Sequence, residues 1–382
     1  MTTFLKADLF YYPEETKTGG YLEINDGVFG QWQPVLPEGA DVIDCSGYRI
    51  APGLVDTHIH GYGGHDVMDN SAEGIKIMSQ ELLSTGVTSF LPTTLTSSFE
   101  RLRDVSKTVA SAAPEVTGAK IRGIYFEGPY FTEKYKGAQN PSYMKDPSLE
   151  EFTAWQEAAG GLIKKIAIAP ERKGAAKFVS ALTAQGVTVA LGHSNATYKE
   201  AQTAVEAGAS VWVHAYNGMR GLNHREPGMV GAVYNIPNTY AELICDGQHV
   251  SPVACDILMQ QKTHSRIALI TDCMSAGGCA DGDYRLGEYA VTVSDGTARL
   301  KDSGSLAGSI LKLKDGLKNV VNWGLATAEE AVKMASFVPA VSVGIDDVCG
   351  QIKEGLAADF IVLDPELNLA ATYLDGKKVY QA

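Results

Sequence analysis

The chain has 382 residues, of which 45% are hydrophobic and 20% are charged, and its formal net charge is -13. This composition predicts a globular protein with a sizeable core and excludes an intrinsically disordered chain. The excess of acidic residues would repel nucleic-acid phosphates, so we expect no nucleic-acid partner. An anionic substrate would need cationic side chains placed locally around it.

The first residues lack the basic and apolar regions of a signal peptide, and no apolar run approaches the roughly 20 residues of a membrane helix. The six cysteines include no Cys-x-x-Cys pair. In a chain of this size they are typical of reduced thiols. We therefore expect a cytoplasmic protein with no membrane partner.

Short strand-like runs separated by turns occupy both ends of the chain. Residues 21–30 contain an Asn-Asp-Gly turn between two predicted strands. Residues 359–364 and 367–380 also predict strands, and an Asp-Gly turn interrupts the second run. Because chain termini often lie close together, we predict that residues 1–52 and 350–382 form one small β-sandwich domain.

Between these ends, residues 53–349 alternate between apolar runs and helical segments. The eight apolar runs are 53–59, 87–91, 121–126, 163–169, 187–191, 211–213, 241–245 and 267–270. The clearest helical segments are 72–85, 99–113, 149–159, 175–185 and 198–207. This alternation predicts an α/β fold of the (β/α)8 TIM-barrel type. A doubly wound open sheet is the alternative, but no Gly-x-Gly-x-x-Gly follows the first strand.

The first predicted barrel strand ends in His58 and His60, which are two residues apart. Alternate side chains of a strand face the same side, so both imidazoles would project together, with Asp56 beneath them. Imidazole is a common ligand of divalent transition metals. The pair therefore predicts half of a metal site.

Other residues of metal-ligand type follow later predicted strands. They are Glu127 after strand three, His193 after strand five, His214 after strand six, Asp246 and His249 after strand seven, and Asp272 in strand eight's final residues. Each alone has a structural explanation, such as a loop carboxylate, a core histidine or a helix N-cap. The strand ends of a TIM barrel converge on the active site, so together they predict a metal centre. His65 and His264 are interpreted as surface residues, and the role of His224 stays open.

These ligands suit a hydrolytic centre. Glu127, His193 and His214 would form a three-ligand site with an open position, or Glu127 would bridge to a second cation held by the strand-one pair. A cation lowers the pKa of bound water from 15.7 to about 7. Asp272 is placed to take the proton and pass it to a leaving amine, a role worth roughly 10² to 10⁴ in rate. We expect one or two divalent cations per subunit, with zinc first and iron, manganese or cobalt as the other candidates.

Motifs along nearly the whole chain carry a family resemblance. They are Pro52-Gly-Leu-Val-Asp-Thr-His-Ile-His-Gly61, Glu127-Gly-Pro129, Lys136-Gly-Ala-Gln-Asn-Pro141, Leu191-Gly-His-Ser194, His214-Ala-Tyr-Asn217, Arg225-Glu-Pro-Gly228, Asp246-Gly-Gln-His-Val250, Thr271-Asp272, Ser305-Leu-Ala-Gly-Ser309 and Gly355-Leu-Ala-Ala-Asp-Phe-Ile-Val-Leu-Asp364. The first resembles the strand-one signature of the amidohydrolase superfamily. The set together resembles the N-acetylglucosamine-6-phosphate deacetylases of that superfamily.

The resemblance implies a TIM barrel with a β-sandwich built from both termini. It implies hydrolysis of N-acetylglucosamine 6-phosphate to glucosamine 6-phosphate and acetate, in amino-sugar catabolism or cell-wall recycling. By position, it implies that Glu127, His193 and His214 bind the principal metal and that Asp272 is the acid–base residue. Around the sugar phosphate it implies Ala138, Gln139, Asn217, Gly218, Arg225, Asp246, His249, Leu306, Ala307 and Gly308. It also implies a homodimer in which Arg225 reaches the phosphate bound by the neighbouring subunit, which arginine can grip bidentately.

The chain departs from the family pattern at a few positions. It keeps both strand-one histidines, which some members replace, so two metals fit. Gln139 stands where many members have a histidine near the substrate carbonyl, although its amide can still donate a hydrogen bond. Gly218 stands where alanine is usual, and we expect little effect. The loop 219–224 is atypical, and a preference between glucosamine and galactosamine would arise there.

Three other functions are alternatives to this one. The first is a deacetylase of N-acetylgalactosamine 6-phosphate. The second is a cyclic amidase, which usually carries a carboxylated lysine at strand four, whereas Lys164 and Lys165 stand at the start of that strand. The third is a non-catalytic binding protein on a barrel scaffold. The complete ligand set and Asp272 argue against the third.

Overall fold

Strands from both ends of the chain form one sheet of eight strands in the computed structural model, which describes residues 2–382. Numbered in chain order, they are β1 (Thr2–Tyr11), β2 (Thr16–Thr18), β3 (Tyr21–Asn25), β4 (Val28–Gln33), β5 (Asp41–Pro52), β20 (Phe360–Leu363), β21 (Leu369–Leu374) and β22 (Lys377–Gln381). The C-terminal strand β20 pairs antiparallel with β5. Leu5, Phe10, Leu22 and Phe360 lie in the buried core of this sheet. The predicted union of both termini is confirmed, whereas the domain boundaries stay a prediction.

Two tight turns of this sheet follow the predicted turn chemistry. Asp26 and Gly27 both have positive φ, 49° and 83°, between the paired strands β3 and β4. Asp375 and Gly376 do the same between β21 and β22, at 47° and 70°. Positive φ at both central residues matches the right-handed twist of the flanking strands, which explains the Asp-Gly sequences.

Eight parallel strands of the described chain form the barrel that the alternation predicts. They are β6 (Leu54–Ile59), β9 (Val87–Thr94), β11 (Ile124–Tyr130), β12 (Ile163–Ile168), β13 (Thr188–Leu191), β14 (Val211–Trp212), β15 (Tyr240–Leu243) and β16 (Ile267–Leu269). The ring closes just beyond β16, where the Asp272 amide donates to the His58 carbonyl at 2.9 Å and Ile59 pairs with Cys273. This closure excludes the open-sheet alternative.

Helices follow most barrel strands. They are α1 (Ala72–Leu82), α2 (Phe99–Ala112), α3 (Leu149–Ala158), α4 (Ala175–Thr183), α5 (Tyr198–Glu206), α6 (Gly228–Asn235), α7 (Pro252–Lys262), α8 (Leu313–Asn322), α9 (Ala328–Ala335) and α10 (Phe337–Ser342). Short 3-10 turns cover Val67–Asp69, Leu83–Thr85, Ala113–Glu115, Glu133–Tyr135, Pro141–Tyr143 and His264–Arg266. Ser71, Ser98 and Ser148 cap α1, α2 and α3 by accepting backbone N–H bonds. The five predicted helices are therefore confirmed.

A small antiparallel sheet lies between the last barrel strand and α8, and sequence analysis did not predict it. Its strands are β17 (Gly282–Leu286), β18 (Tyr289–Ser294) and β19 (Thr297–Leu300). The remaining short strands are β7 (Gly61–Tyr62), β8 (His65–Asp66) and β10 (Lys120–Ile121). No helix within residues 2–382 is long and apolar enough to cross a membrane.

Candidate active site

The carboxyl ends of the barrel strands bring the five predicted metal ligands and the predicted acid–base residue Asp272 into one buried cluster. Within the described chain, two groups have ligand atoms within 4.8 Å of one another, and we name them the glutamate group (Glu127, His193, His214) and the strand-one group (His58, His60, Asp272). Each of the six residues has a relative exposure of at most 9%. The barrel therefore gathers the side chains that the sequence predicted, while their role as ligands stays a prediction.

Glu127 stands between the two groups. Its Oε1 atom lies 3.1 Å from His193 Nε2 and 3.2 Å from His214 Nε2. Its Oε2 atom lies 3.3 Å from His60 Nε2, and Oε1 is also 3.5 Å from His58 Nε2. One carboxylate thus faces all four imidazoles, which is the arrangement that a bridging ligand requires.

Three of the six residues have an unusual backbone conformation. The φ angles of His193, His214 and Asp272 are 45°, 26° and 51°. Non-glycine residues rarely adopt this left-handed region. Strain of this kind is concentrated at functional sites, where it re-aims a side chain. In contrast, His58 lies within the regular strand β6, and strand alternation alone directs its ring.

All four imidazoles hold an acceptor at Nδ1. The Nδ1 atom of His60 faces the Thr93 carbonyl oxygen, that of His193 faces the Tyr135 carbonyl oxygen, and that of His214 faces the Asn217 carbonyl oxygen. The Nδ1 atom of His58 faces a carboxylate oxygen of Glu242, and all four distances lie between 2.9 and 3.2 Å. A carbonyl oxygen only accepts, so Nδ1 must carry the hydrogen, and Nε2 then presents a lone pair. His58 Nε2 is buried and has no hydrogen-bond partner among the described residues. Four such lone pairs beside two carboxylates fit a divalent cation.

The charges of the cluster also favour a bound divalent cation. Burial would raise the pKa of Asp272, but His58 and His60 lower it to about 2. Burial would lower the pKa of His58, but Asp272, Glu242 and Glu127 raise it to about 9. The carboxylates therefore stay ionised and require positive charge close by. A divalent cation would supply that charge without protons on the imidazoles.

A cavity of about 140 Å³ opens onto the cluster. The predicted substrate residues that line it are Ala138, Gln139, Asn217, Gly218, His249, Leu306 and Gly308. Leu95, Gly137 and Leu286 also line it and were not predicted. Leu286 belongs to the small sheet that sequence analysis missed, so no motif pointed to it. A larger cavity of about 530 Å³ shares Leu95, Ala138 and Leu286 as lining residues.

Three predicted substrate residues are absent from the lining of this cavity. Ala307 is buried between its two neighbours, and Arg225 lies in an exposed loop. Asp246 is positioned behind His249, because its Oδ2 atom lies 2.7 Å from His249 Nδ1. Burial would raise the pKa of Asp246, but hydrogen bonds from His249 lower it. Asp246 therefore orients the imidazole that faces the cavity.

Gln139 is tied into the cluster at both ends of its amide. Its Nε2 atom donates to Glu127 Oε2 at 2.5 Å, and its Oε1 atom accepts the Thr96 N–H at 2.7 Å. The side chain is 3% exposed. Gln139 thus fixes the orientation of the carboxylate that lies between the two groups.

Sequence analysis missed two charged residues inside the barrel. Glu242 in β15 is 1% exposed, Lys165 in β12 is 0% exposed, and the lysine donates to the glutamate. Burial lowers the pKa of Lys165, although the charge of Glu242 opposes this. The available signal was a charged residue within an otherwise apolar predicted strand, since an unpaired buried charge is costly.

Comparisons with known proteins agree with this geometry. The chain matches the Amidohydrolase family over residues 49–379. An N-acetylglucosamine-6-phosphate deacetylase of Vibrio furnissii is 41% identical over 90% of this chain and 86% of its own length. An N-acetylgalactosamine-6-phosphate deacetylase of Escherichia coli O157:H7 is 36% identical over 99% of both chains.

Solved structures show the same fold over the full length. A mutant N-acetyl-D-glucosamine-6-phosphate deacetylase of Mycobacterium smegmatis, in complex with N-acetyl-D-glucosamine-6-phosphate, superposes with a TM-score of 0.94 at 30% identity and covers 100% of both chains. The recognised motifs, the family match and the solved relatives therefore lead to one conclusion. This chain belongs to the amidohydrolase family and, within it, to the N-acetylglucosamine-6-phosphate deacetylases.

Proposed function

We propose that this chain hydrolyses N-acetylglucosamine 6-phosphate to glucosamine 6-phosphate and acetate at a divalent metal centre. The observation that carries the proposal is the convergence of four imidazole Nε2 atoms on Glu127 and Asp272, at the floor of a cavity. The similarity to deacetylases of known structure supports the choice of substrate.

The glutamate group would hold the principal cation, and the strand-one group would hold a second one, with Glu127 between them. Zinc is our first choice, because two imidazoles and a carboxylate with an open position are typical of catalytic zinc sites. When bound, a cation polarises the amide carbonyl and lowers the pKa of water. The chain's own residues then position the amide and move the proton.

Asp272 is the proton carrier in this proposal. Its Oδ1 atom lies 3.1 Å from His60 Nε2, and the residue lines the cavity. A carboxyl group is ionised at neutral pH, so Asp272 can accept a proton from the attacking water. It then donates that proton to the nitrogen of the departing amino sugar.

Gln139 would orient the substrate carbonyl. One of its two amide hydrogens is directed to Glu127, and its oxygen accepts from Thr96. The second hydrogen remains for the carbonyl oxygen, where negative charge develops during attack. This neutral donor would replace the histidine that many relatives use.

The phosphate would lie towards His249 and Asn217, which line the cavity. His249 Nδ1 faces Asp246, so Nε2 is the ring atom left on the cavity side, and it would donate to a phosphate oxygen when the ring carries hydrogens on both nitrogens. Gly308 has a φ of 61° and lets the main chain approach the ligand closely. These contacts would offset the negative charge of the protein as a whole.

We further propose a homodimer in which Arg225 acts across the interface. Arg225 is exposed and lies outside the lining of its own cavity, and the neighbouring Leu222 is 57% exposed. Mixing two inactive variants, Asp272→Asn and Arg225→Ala, tests this. In a mixed dimer one site regains both residues, so about a quarter of wild-type activity should return on subunit exchange. No recovery in a confirmed mixed dimer would contradict the proposal.

The direct test of function is acetate release. We expect turnover of N-acetylglucosamine 6-phosphate and no ring opening of a dihydropyrimidine. N-acetylgalactosamine 6-phosphate is the second candidate substrate, because a relative of that name matches 99% of this chain. No release from the glucosamine compound would overturn the leading proposal, and release from the galactosamine compound alone would establish the alternative.

We also assign the enzyme to the cytoplasm. All six cysteines are free in the described part of the chain, and five of them are buried. Free thiols are typical of a reducing compartment. Fractionation of cells that express the untagged protein would test the assignment, and recovery outside the cytoplasm would contradict it.

A further inference from the structure

His58 differs from the other three histidines in what holds its Nδ1 atom. The others face main-chain carbonyl oxygens, which persist whatever the side chains are. His58 Nδ1 instead lies 3.0 Å from Glu242 Oε2. The same oxygen accepts the backbone N–H of His214 at 3.2 Å. Glu242 therefore contacts one residue from each ligand group without facing the cavity.

Lys165 forms a buried ion pair with Glu242. Its ammonium donates to Glu242 Oε1 and lies 3.4 Å from the Thr57 carbonyl oxygen. It also stands 3.7 Å from the centre of the Tyr125 ring. An ionised carboxylate only accepts hydrogen bonds. The Glu242 side chain, paired with Lys165, therefore requires a hydrogen on His58 Nδ1, as a carbonyl oxygen would.

We propose that Glu242, anchored by Lys165, is a positioning residue that fixes the ring of His58 with its hydrogen on Nδ1 and thereby builds the second cation site. Glu242 belongs to neither ligand group and does not line the cavity. His58 Nε2 is left as a buried lone pair beside Asp272 Oδ1, at 3.4 Å. This inference rests on the metal centre of the proposed function. Partners of this kind typically change metal affinity 10- to 100-fold when they are removed.

The competing explanation is that the buried Glu242–Lys165 pair only stabilises the fold. Removing one member would leave a buried charge unpaired and destabilise the fold, whatever its effect on metal. The two members must therefore be replaced together. Methionine approximates the size of either side chain and carries no charge, which keeps the barrel interior filled.

Two double variants separate the explanations. Glu242→Met/Lys165→Met removes the charges and the acceptor, whereas Glu242→Gln/Lys165→Met removes the charges and keeps an amide oxygen that can accept from His58 Nδ1. Metal-depleted wild type and both variants are titrated with cobalt(II). Visible absorption and elemental analysis give the number of bound ions and their affinities, and thermal unfolding gives the stability.

Wild type should bind two ions. The methionine pair should keep one tight ion and bind the second 10- to 100-fold more weakly, while the glutamine variant should bind both nearly as wild type does. Equal second-site affinity in the two variants, or only one ion in wild type, would overturn the inference. Because the measurement does not use turnover, a wild type that binds two ions without releasing acetate would disprove the proposed function alone.

Discussion

The glutamate group and the strand-one group are held in different ways. In the glutamate group, both histidines lie just beyond a strand in left-handed backbone, and main-chain carbonyls hold their Nδ1 atoms. In the strand-one group, His58 lies in a regular strand and depends on the side chain of Glu242. The histidines of the glutamate group are thus fixed by the path of the main chain, whereas one histidine of the strand-one group depends on a single side chain.

This difference explains why we regard the strand-one cation as accessory. A histidine held by a main-chain carbonyl keeps that hydrogen bond when a neighbouring side chain is removed. A site that requires a buried carboxylate and a buried lysine can be lost by changing either of them. The predictions below test that contrast, from Glu127, which faces the imidazoles of both groups, to a glycine beside one histidine of the glutamate group.

Glu127→Gln should have the largest effect, because Glu127 faces every imidazole of both groups. An amide would present a donor or a neutral acceptor where an ionised ligand is needed. We expect both cations to be lost and kcat/KM to fall by more than about 10³-fold, since a cation supplies several kcal/mol to the transition state. Metal analysis and acetate release measure the two effects.

Glu171→Gln is the matched control for that variant. Glu171 fastens the loop after β13 by accepting from Ser194 and Asn195, and it belongs to neither ligand group. It should keep both metals and most of the activity. If Glu127→Gln also kept both metals, Glu127 could not be the ligand that joins the groups.

Asp272→Asn should slow the chemical step without removing the principal cation. The amide cannot carry the proton from water to the leaving amine, so kcat should fall by roughly 10² to 10⁴-fold. The glutamate group does not include Asp272 and should retain its cation. Single-turnover acetate release with metal analysis of the same sample checks both statements. Turnover at the wild-type rate would refute the assigned mechanism.

The sequence predicted the barrel and the convergence of the ligand-type side chains, because both follow from local patterns. Apolar runs alternating with helices define the strands, and barrel strand ends converge. That reasoning located His58, His60, Glu127 and Asp272 without any coordinates. The Asp-Gly turns of the terminal sheet were predicted in the same way, since their backbone angles restrict the residue type.

What the sequence could not provide depends on tertiary packing. The contact between His58 and Glu242 joins residues 184 positions apart, and it depends on which side chains share one level of the barrel. The left-handed backbone at His193 could not be predicted from the residue type, because histidine adopts it more often than most residues but still in a small minority of cases. Leu286 reaches the cavity from a small sheet whose alternating pattern resembles any surface hairpin.

The double variant His58→Gln/His60→Asn should have an intermediate effect. It removes both imidazoles of the strand-one group and leaves the glutamate group complete. We expect one metal equivalent to be lost and activity to fall roughly 10- to 100-fold. Loss of both metals would show that the two groups are not independent. Metal analysis of the protein as purified, beside wild type, distinguishes these results.

Gly218→Ala should have the smallest effect and should act on the glutamate group alone. Gly218 has a φ of 61°, and a Cβ atom there would lie 2.9 Å from His193 Nδ1, which donates to the Tyr135 carbonyl. A left-handed alanine costs about 1–2 kcal/mol in folding free energy. Gly344→Ala is the matched control, since its φ is 67° and nothing lies within 4 Å of the added atom. Urea unfolding should show a similar loss of stability in both variants, whereas only Gly218→Ala should weaken binding of the principal cation. Equal metal affinity in the two variants would mean that His193 accommodates the added methyl group.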